Sequence, residues 1–443
     1  MLSPNGFGAG ASGPIRERPI ETNGLSLWVN LVSLLSDKLG GQDMNMKTLF
    51  LGTAAGVLAA TGAQAADLPV APEPIDYVRV CDAFGAGFYY IPGTDTCLSV
   101  RGRVRAEYRY FDTNGATLRA AGTNWRDFNS TQFRARGYIY MDSRTNTEFG
   151  LLRAYNEFWI TYDAPGGSTG LTLWNSFVQF GGFTFGRTQS FYDFVVYPTW
   201  AFAFTPQVSD QRQNLAAYTF AFGNGFSASV SLEAASERRI GIGNYGPDYG
   251  GTKYPDLVAN LRIDQGWGSA QLSGALRQVW PGYNAFGTTP SSEVGWAVNG
   301  GVKFNLPFGS GVTANLSGAY TQGAVAYASS SFNTWEDVGD ATYNPVTGDL
   351  DLATAWSVSG GFGFAFTPSV GAAIQAGYLD YEDGYTSLND FKNYDVQGNI
   401  TWTPVSGLLM GIEVDYRYVD QDSASAYPDA NLWAGAFRVQ RTF

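Results

Sequence analysis

The feature that most constrains the fold is a two-residue alternation of apolar and polar side chains, which recurs along most of the chain after residue 97. It is clearest over residues 408–419. There, apolar residues occupy one face, and the other face carries Glu413, Asp415 and Arg417. Successive side chains of a strand point to opposite faces, so such a segment can meet lipid on one side and water on the other. A soluble β-sandwich shows the same alternation, and the pattern alone leaves both folds open.

The connections between these segments separate the two folds. Sixteen candidate strands are 98–110, 131–142, 147–161, 170–180, 183–188, 210–222, 226–235, 256–264, 267–279, 293–305, 312–322, 354–366, 370–380, 391–402, 408–419 and 431–443. Every second connection is short and contains turn residues, as in Gly223-Asn224-Gly225, whereas most of the others are long and polar. Short turns at one end and long loops at the other are typical of outer-membrane barrels. The sequence therefore predicts an all-β fold, a sixteen-stranded antiparallel transmembrane β-barrel with short periplasmic turns and long outer loops.

Export is predicted by residues 46–65. Met46-Lys47 precedes an apolar run, and Ala63-Gln64-Ala65 forms a small-residue cleavage site, which together are typical of a secretory signal. We predict cleavage after Ala65, with a short buried helix as the alternative. Residues 1–45 are then an upstream extension from a mis-assigned start, 66–96 a mature N-terminal segment and 97–443 the barrel. No other segment has the ~18 consecutive apolar residues of a transmembrane helix, so a closed barrel is the membrane option that remains.

Composition excludes several classes of function. The 443 residues include no His, which removes His-based acid–base catalysis and His metal sites. Two Cys cannot build a zinc or iron–sulfur site. The formal net charge of −12 argues against nucleic-acid binding, which needs a basic surface. We therefore predict no catalytic residue, no metal, no cofactor and no nucleic-acid partner, and an outer-membrane enzyme is the least favoured reading.

The segment 78–98, which reads VRVCDAFGAGFYYIPGTDTCL, resembles the general porins of alphaproteobacteria. The start Ala66-Asp67-Leu68-Pro69 and the terminal Phe443 also look like that family, and the resemblance spans 46–443. It implies a homotrimer in the outer membrane of a Gram-negative bacterium, passive diffusion of ions and small hydrophilic solutes, and a third long loop folded into the lumen. We expect Phe443 to act as a C-terminal assembly signal for the barrel-assembly machinery, and membrane lipid and lipopolysaccharide to surround the barrel. The alternative is a channel selective for a sugar or phosphate.

Cys81 and Cys97 are the only thiols of this exported chain. In an oxidising compartment two such thiols are expected to pair, with two free thiols as the alternative. A bridge of this span stabilises by up to ~3 kcal/mol in the chain-entropy model. Its predicted role is structural, a clip at the entry to the first strand.

A basic row is the sharpest functional signal. The apolar residues that alternate with these arginines form the lipid face, so the arginines are expected to face the lumen. The row consists of Arg101, Arg103, Arg105, Arg109, Arg134, Arg136 and Arg153. Two acids, Glu107 and Glu157, share this wall. Charged walls set pore selectivity, and the alternative is that the row only hydrates the lumen.

The connection 187–209 is rich in aromatic residues and would be an aggregation liability if it were exposed to solvent. Folding against the inner wall removes that liability, and the resemblance places a constriction here. The candidate constriction residues are Asp193, Phe194, Tyr197 and Trp200. A trimer-contact or surface loop is the alternative.

Ion preference follows from two opposing groups of charges. Acids without any Lys or Arg fill three predicted outer loops: Glu336, Asp337, Asp340, Asp349, Asp351, Glu382, Asp383, Asp390, Asp420, Asp422 and Asp429. Such a mouth attracts cations over a Debye length of about 8–10 Å at physiological salt. The arginines favour anions, but we expect Glu107, Glu157 and a facing Asp193 to cancel part of their field. The sequence therefore predicts a weak cation preference that fades as salt rises.

Overall fold

A computed structural model describes residues 79–113, 129–167, 169–246, 248–284, 289–308, 311–332, 338–423, 425 and 428–443. The predicted upstream extension, the signal peptide and residues 66–78 of the mature segment lie outside these described ranges. Two of the predicted mouth acids, Glu336 and Asp337, also lie outside them.

Within these ranges the chain forms twenty strands. They are β1 (Tyr89–Tyr90), β2 (Cys97–Thr113), β3 (Thr131–Thr147), β4 (Gly150–Ala164), β5 (Thr169–Phe180), β6 (Phe183–Gln189), β7 (Arg212–Gly223), β8 (Phe226–Glu233), β9 (Ile242–Gly243), β10 (Asp256–Gln265), β11 (Gly268–Val279), β12 (Glu293–Asn305), β13 (Thr313–Gln322), β14 (Ala341–Tyr343), β15 (Leu350–Leu352), β16 (Thr354–Ala365), β17 (Val370–Glu382), β18 (Phe391–Val405), β19 (Leu408–Gln421) and β20 (Ala430–Thr442). Short 3-10 helices span Asp82–Phe84, Ala235–Glu237, Val325–Tyr327 and Ser387–Asn389. None of the helices described is long and apolar enough to cross a membrane.

Sixteen of these strands close into an antiparallel barrel, namely β2–β8, β10–β13 and β16–β20. Each pairs with the next, and β20 returns to pair with β2 from Arg103 opposite Thr442 to Thr113 opposite Leu432. Closure leaves no unpaired sheet edge. The prediction of sixteen strands is confirmed, and each predicted strand corresponds to one strand of the barrel, although 147–161 also includes the last residue of β3.

The two faces of the barrel differ as the alternation predicts. On β19, Glu413 and Asp415 are fully buried on the inside, whereas Ile412 is 57% exposed on the outside. Large apolar side chains are exposed on all sixteen strands. A continuous apolar outer surface suits lipid and would not persist in water.

The outer connections contain structure that the sequence did not reveal. β9, β14 and β15 form a second small sheet, in which β9 and β14 run parallel. Ile242 and Leu350 of this sheet form an apolar cluster with Val279 at the end of β11. Strands of two or three residues are too short to show an alternation, so the sequence analysis treated these connections simply as long polar loops.

Both ends of the barrel sequence are fastened to β2. Cys81 and Cys97 form a disulfide with their Cα atoms 6.0 Å apart, which confirms the predicted pairing. Phe443 and Gly102 exchange backbone hydrogen bonds of 2.8 and 3.0 Å. The Phe443 ring occupies the space that a Cβ at residue 102 would need, so a larger residue there would have to displace the ring.

Candidate pore constriction

The seven predicted arginines lie on the inward face of three adjacent strands, β2, β3 and β4. Residues between them, such as Val104 and Ile139, are exposed on the outer surface. Arg105 stands directly opposite Arg136 in the register of β2 and β3. Like charges in direct cross-strand pairs destabilise a sheet, so strand pairing alone does not account for this row.

Glu107 is shared by three arginines. Its carboxylate lies 2.6 Å from Arg438, 3.8 Å from Arg109 and 3.9 Å from Arg105. Arg438 on β20 was not among the predicted residues, because its strand lies at the other end of the sequence. The second predicted acid, Glu157, accepts a hydrogen bond from a neighbouring asparagine and makes no ion pair with any described residue.

Two further inward carboxylates, which the sequence analysis missed, pair with this row. Asp142 lies 2.7 Å from Arg144 and 2.9 Å from Arg153, and Asp163 lies 2.6 Å from Arg134. The described inward positions of β2, β3, β4 and β20 carry nine arginines and four carboxylates. This wall, which we call the arginine wall, therefore has a clear excess of positive charge.

The aromatic connection runs from 190 to 211 and contacts inward-facing side chains of distant strands. Its hydrogen bonds join Asn260 Nδ2 to Phe191 O (2.6 Å), Thr199 Oγ1 to Gln397 Oε1 (2.8 Å), Trp200 N to Glu413 Oε2 (2.5 Å), Ala203 N to Asp415 Oδ2 (3.1 Å) and Arg109 Nη2 to Phe202 O (2.6 Å). These partners belong to β10, β18, β19 and β2. We call this segment the inner loop, because every one of these partners faces the inside of the barrel.

The predicted loop residues make different contacts. The Phe194 ring packs on Gly301 of β12, where a larger residue would collide with it. The Tyr197 hydroxyl donates to Asp210 at 2.7 Å. The Trp200 ring lies 4.2 Å from the guanidinium of Arg438, so this part of the loop approaches the edge of the arginine wall.

Asp193 does not face the arginine row, contrary to the expectation from the sequence. Its carboxylate lies 2.7 Å from Arg238 and also accepts hydrogen bonds from Ser209 and the backbone of Gln211. Arg238 and Asp193 are both buried. Arg238 follows β8 in the sequence, and its spacing from Asp193 gave no sign of the pair. The pairing offsets the charge of Asp193 locally.

A second connection, 323–332, packs on the inner loop. Hydrogen bonds join Ser329 Oγ to Gln207 Oε1 (2.9 Å), Asp210 N to Ser330 Oγ (2.7 Å) and Ser331 Oγ to Thr205 O (2.6 Å). The rings of Tyr192 and Tyr327 meet edge-on with centroids 4.7 Å apart. A run of serines resembles a solvated loop, so the sequence gave no signal for this contact.

Tyr327 also joins the two buried arginines of this region. The guanidiniums of Arg238 and Arg277 lie 4.3 and 5.3 Å from its ring centroid. Arg277 pairs with Asp256 at 2.9 Å and with Asp340 at 3.3 Å. Asp340 was expected to be a solvated acid at the outer mouth. That expectation is wrong, because the residue is fully buried against Arg277.

Burial shifts the ionisation of these loop groups. Burial by itself would lower the pKa of Arg238, but the carboxylate of Asp193 outweighs it and the pKa lies above the ordinary arginine value. Burial raises the pKa of the Asp340 carboxyl, and Arg277 opposes that rise. Arg238 therefore stays charged at any physiological pH.

Comparison with known proteins agrees with this architecture. The model of the porin subfamily matches residues 67–436. The chain is 31% identical over 426 residues to Porin Omp2b of Brucella suis biovar 1 and of Brucella abortus strain 2308, covering 90% of this chain and all of each relative. The chain belongs to the porin subfamily. This porin is thus an outer-membrane channel of a Gram-negative bacterium, and the family resemblance noted in the sequence is confirmed.

Solved structures share its fold. The outer membrane channel DcaP of Acinetobacter baumannii superposes with a TM-score of 0.62 at 15% identity, over 80% of this chain and 99% of that one. The anion-selective porin from Comamonas acidovorans gives a TM-score of 0.50 at 14% identity, over 79% of this chain and 100% of that one. At these identities the likeness concerns the barrel alone.

Proposed function

We propose that ions and small hydrophilic solutes cross this porin through an off-centre passage between the arginine wall and the inner loop. The observation that supports the proposal is the distribution of loop contacts. The inner loop is hydrogen-bonded to inward side chains of β10, β18 and β19, and 323–332 packs on it from the same side. On the arginine wall the inner loop touches Arg109 and Arg438, while Arg101 is exposed.

In this arrangement the loop is the movable boundary of the pore and the wall supplies the charge. Hydrated ions pass between a surface of guanidinium groups and a loop whose two acids, Asp193 and Asp210, are paired with Arg238 and Arg212. Charges at such a narrow point act at short range and are screened less than those at the mouth. Residues Phe194, Tyr197 and Trp200 then set the width, and the arginine wall sets the charge preference.

Deleting Phe194 to Phe204 tests the proposal. The variant should conduct more current per pore in planar bilayers and admit larger sugars in a liposome-swelling assay. A deletion of equal length in the connection between β2 and β3 is the matched control and should leave both readings unchanged. An unaltered conductance of the first variant, with intact oligomers, would mean that the inner loop does not limit the passage.

We also propose that the protein is exported with a signal peptide at 46–65, assembles as a homotrimer and is surrounded by lipopolysaccharide. Amino-terminal sequencing of the outer-membrane form should start at Ala66, and unheated samples should migrate as trimers in detergent electrophoresis. Recognition of Phe443 by the barrel-assembly machinery belongs to the same proposal. Removing Phe443 should reduce the yield of folded barrel in cells more than the yield from refolding in detergent.

A further inference from the structure

Three guanidinium groups converge on one aromatic ring of the arginine wall. The groups of Arg103, Arg105 and Arg136 lie 3.8, 5.3 and 5.8 Å from the centroid of the Tyr138 ring. Tyr138 is only 4% exposed, so the arginines cover it. Arg103 is the direct cross-strand partner of Tyr138, and Arg105 that of Arg136, so the strand register itself assembles the group.

This cluster has too little negative charge around it. No described carboxylate lies within 4 Å of Arg103 or Arg136. Arg105 reaches Glu107 only at 3.9 Å, and the same carboxylate is held at 2.6 Å by Arg438. The three side chains are half-buried, and like charges held side by side without their own anions repel one another.

The hydrogen-bonding groups of the cluster are also incompletely used. Arg103 Nε is buried and has no hydrogen-bond partner among the described residues. Arg136 donates through Nε to Thr161 at 2.8 Å and through Nη1 to the Tyr138 hydroxyl at 3.3 Å. Arg105 donates through Nε to Gln440 at 3.2 Å. Each of these two arginines therefore keeps terminal N–H groups for another acceptor, since a guanidinium carries five.

We propose that the Arg103–Arg105–Arg136 cluster is a binding site for a doubly charged oxyanion, the phosphate or dicarboxylate group of a small solute in transit. Planar guanidiniums donate in pairs to the oxygens of such groups, and a charge of −2 offsets most of the excess at the cluster. Stacking on Tyr138 and Trp159 holds the arginines in place before the anion arrives. The proposal rests on the passage proposed above, because the site is useful only if solutes travel along the arginine wall.

Such a site makes passage saturable. An ion that binds must also leave, so the affinity of the site has to be modest. While an oxyanion occupies the site, it slows the small ions that share the passage. Oxyanions of charge −2 should then reduce the chloride current with a measurable half-saturating concentration. A neutral sugar of similar size should change the current only in proportion to its concentration.

The test is a titration of inorganic phosphate, and separately of succinate, against the KCl current of the full porin in planar bilayers. We expect the reduction of the current to saturate in the wild type. The half-saturating oxyanion concentration should be roughly tenfold higher for Arg103→Gln and Arg136→Gln, since each variant loses a charge-assisted pair of hydrogen bonds. Arg103→Lys keeps the charge without the planar group and should fall between the wild type and Arg103→Gln. If one glutamine variant does not fold, the other tests the same cluster from the neighbouring strand.

Arg101→Gln is the matched control. It removes the same charge from the same strand, but Arg101 is exposed, bonds Ser99 and stands outside the cluster. Equal weakening by Arg101→Gln and Arg103→Gln would overturn the site in favour of a general electrostatic field, and so would a wild-type current that falls without saturating.

The two oxyanions also separate the ligand classes. Saturation with phosphate but not succinate would restrict the site to phosphate groups, and the reverse would restrict it to dicarboxylates. A KCl current that neither phosphate nor succinate reduces saturably would refute only this site. The absence of any KCl current would refute the proposed passage as well.

Discussion

The inside of this barrel has two unlike halves. On the side of β10 to β19, charged groups are buried beneath two loops. Some pair with an opposite charge, as Arg238 does with Asp193, and others accept hydrogen bonds from the inner loop, as Glu413 and Asp415 do. On the arginine wall, nine arginines share four carboxylates. A buried charged group needs an opposite charge or hydrogen bonds from its surroundings, whereas water in an open passage can solvate an unpaired one. The charge balance therefore indicates which half is packed as a core and which half stays wet.

Replacing Arg238 with Ala should break this contrast most strongly. It leaves the buried Asp193 without a counter-charge, which typically costs about 3–5 kcal/mol. The inner loop should lose its anchor, so the current should become larger and noisier and the folded barrel should melt at a lower temperature in detergent. The control is Arg144→Ala on the arginine wall, which leaves Asp142 paired with Arg153 at 2.9 Å, so no buried carboxylate loses its last counter-charge. Equal effects of the two variants would contradict the distinction between the halves.

A smaller effect on the current is expected from Glu413→Ala, which removes the acceptor for the backbone N–H groups of Trp200 and Phe202. Leaving buried donors unsatisfied costs about 1–3 kcal/mol, so the tip of the inner loop should fluctuate and the open-channel noise should rise. Glu157→Ala, on the arginine wall, should shift ion preference towards anions without added noise. Noise in both variants, or in neither, would show that the inner loop is not held by Glu413.

Substitutions that remove charge from the arginine wall should alter the ion preference of the pore more than its conductance. The sequence predicted weak cation preference partly because Asp193 was expected to face the arginines, and its pairing with Arg238 removes that term. We now expect anion preference that strengthens as salt rises, because salt screens the acidic mouth more than the narrow passage. Reversal potentials in KCl gradients at several salt concentrations measure it. Arg103→Gln with Arg136→Gln should move the preference towards cations, and cation preference persisting at high salt in the wild type would refute this prediction.

The smallest effect on conduction is expected from Cys97→Ala. The disulfide joins Cys81 to the first residue of β2 and has no contact with the inner loop among the described residues. Its loss removes up to about 3 kcal/mol of restraint in the chain-entropy model, yet the strand ladder should still close. Conductance and ion preference should match the wild type, and the Cys81→Ala, Cys97→Ala double variant controls for the lone thiol. A barrel that fails to form in either variant would show that the clip is needed for folding.

The sequence predicted what repeats or alternates. Sixteen strands, the inward arginines and the disulfide all follow from periodicity, parity or the count of thiols. The packed half could not be predicted in this way, because its contacts join residues that are far apart and have no shared spacing. Asp340 illustrates the limit, since its place among acids in an outer loop suggested solvent exposure. Its burial is explained by Arg277 of β11 and by hydrogen bonds from Tyr249, Ile240 N and Val325 N, none of which its position in the sequence indicates.

The contacts of the inner loop also determine the stage of barrel assembly at which the lumen becomes narrow. Gln207 and Ser329 lie 122 residues apart in the sequence, and Trp200 and Glu413 lie 213 apart. Contacts of such long range form late, after the entropy of closing the intervening chain has been overcome. The loop tip lacks its partners Glu413 and Asp415 until β19 is in place, one strand before the ring closes. The aperture is thus fixed in the last steps of assembly, and an intermediate with most of its strands paired still lacks its size limit.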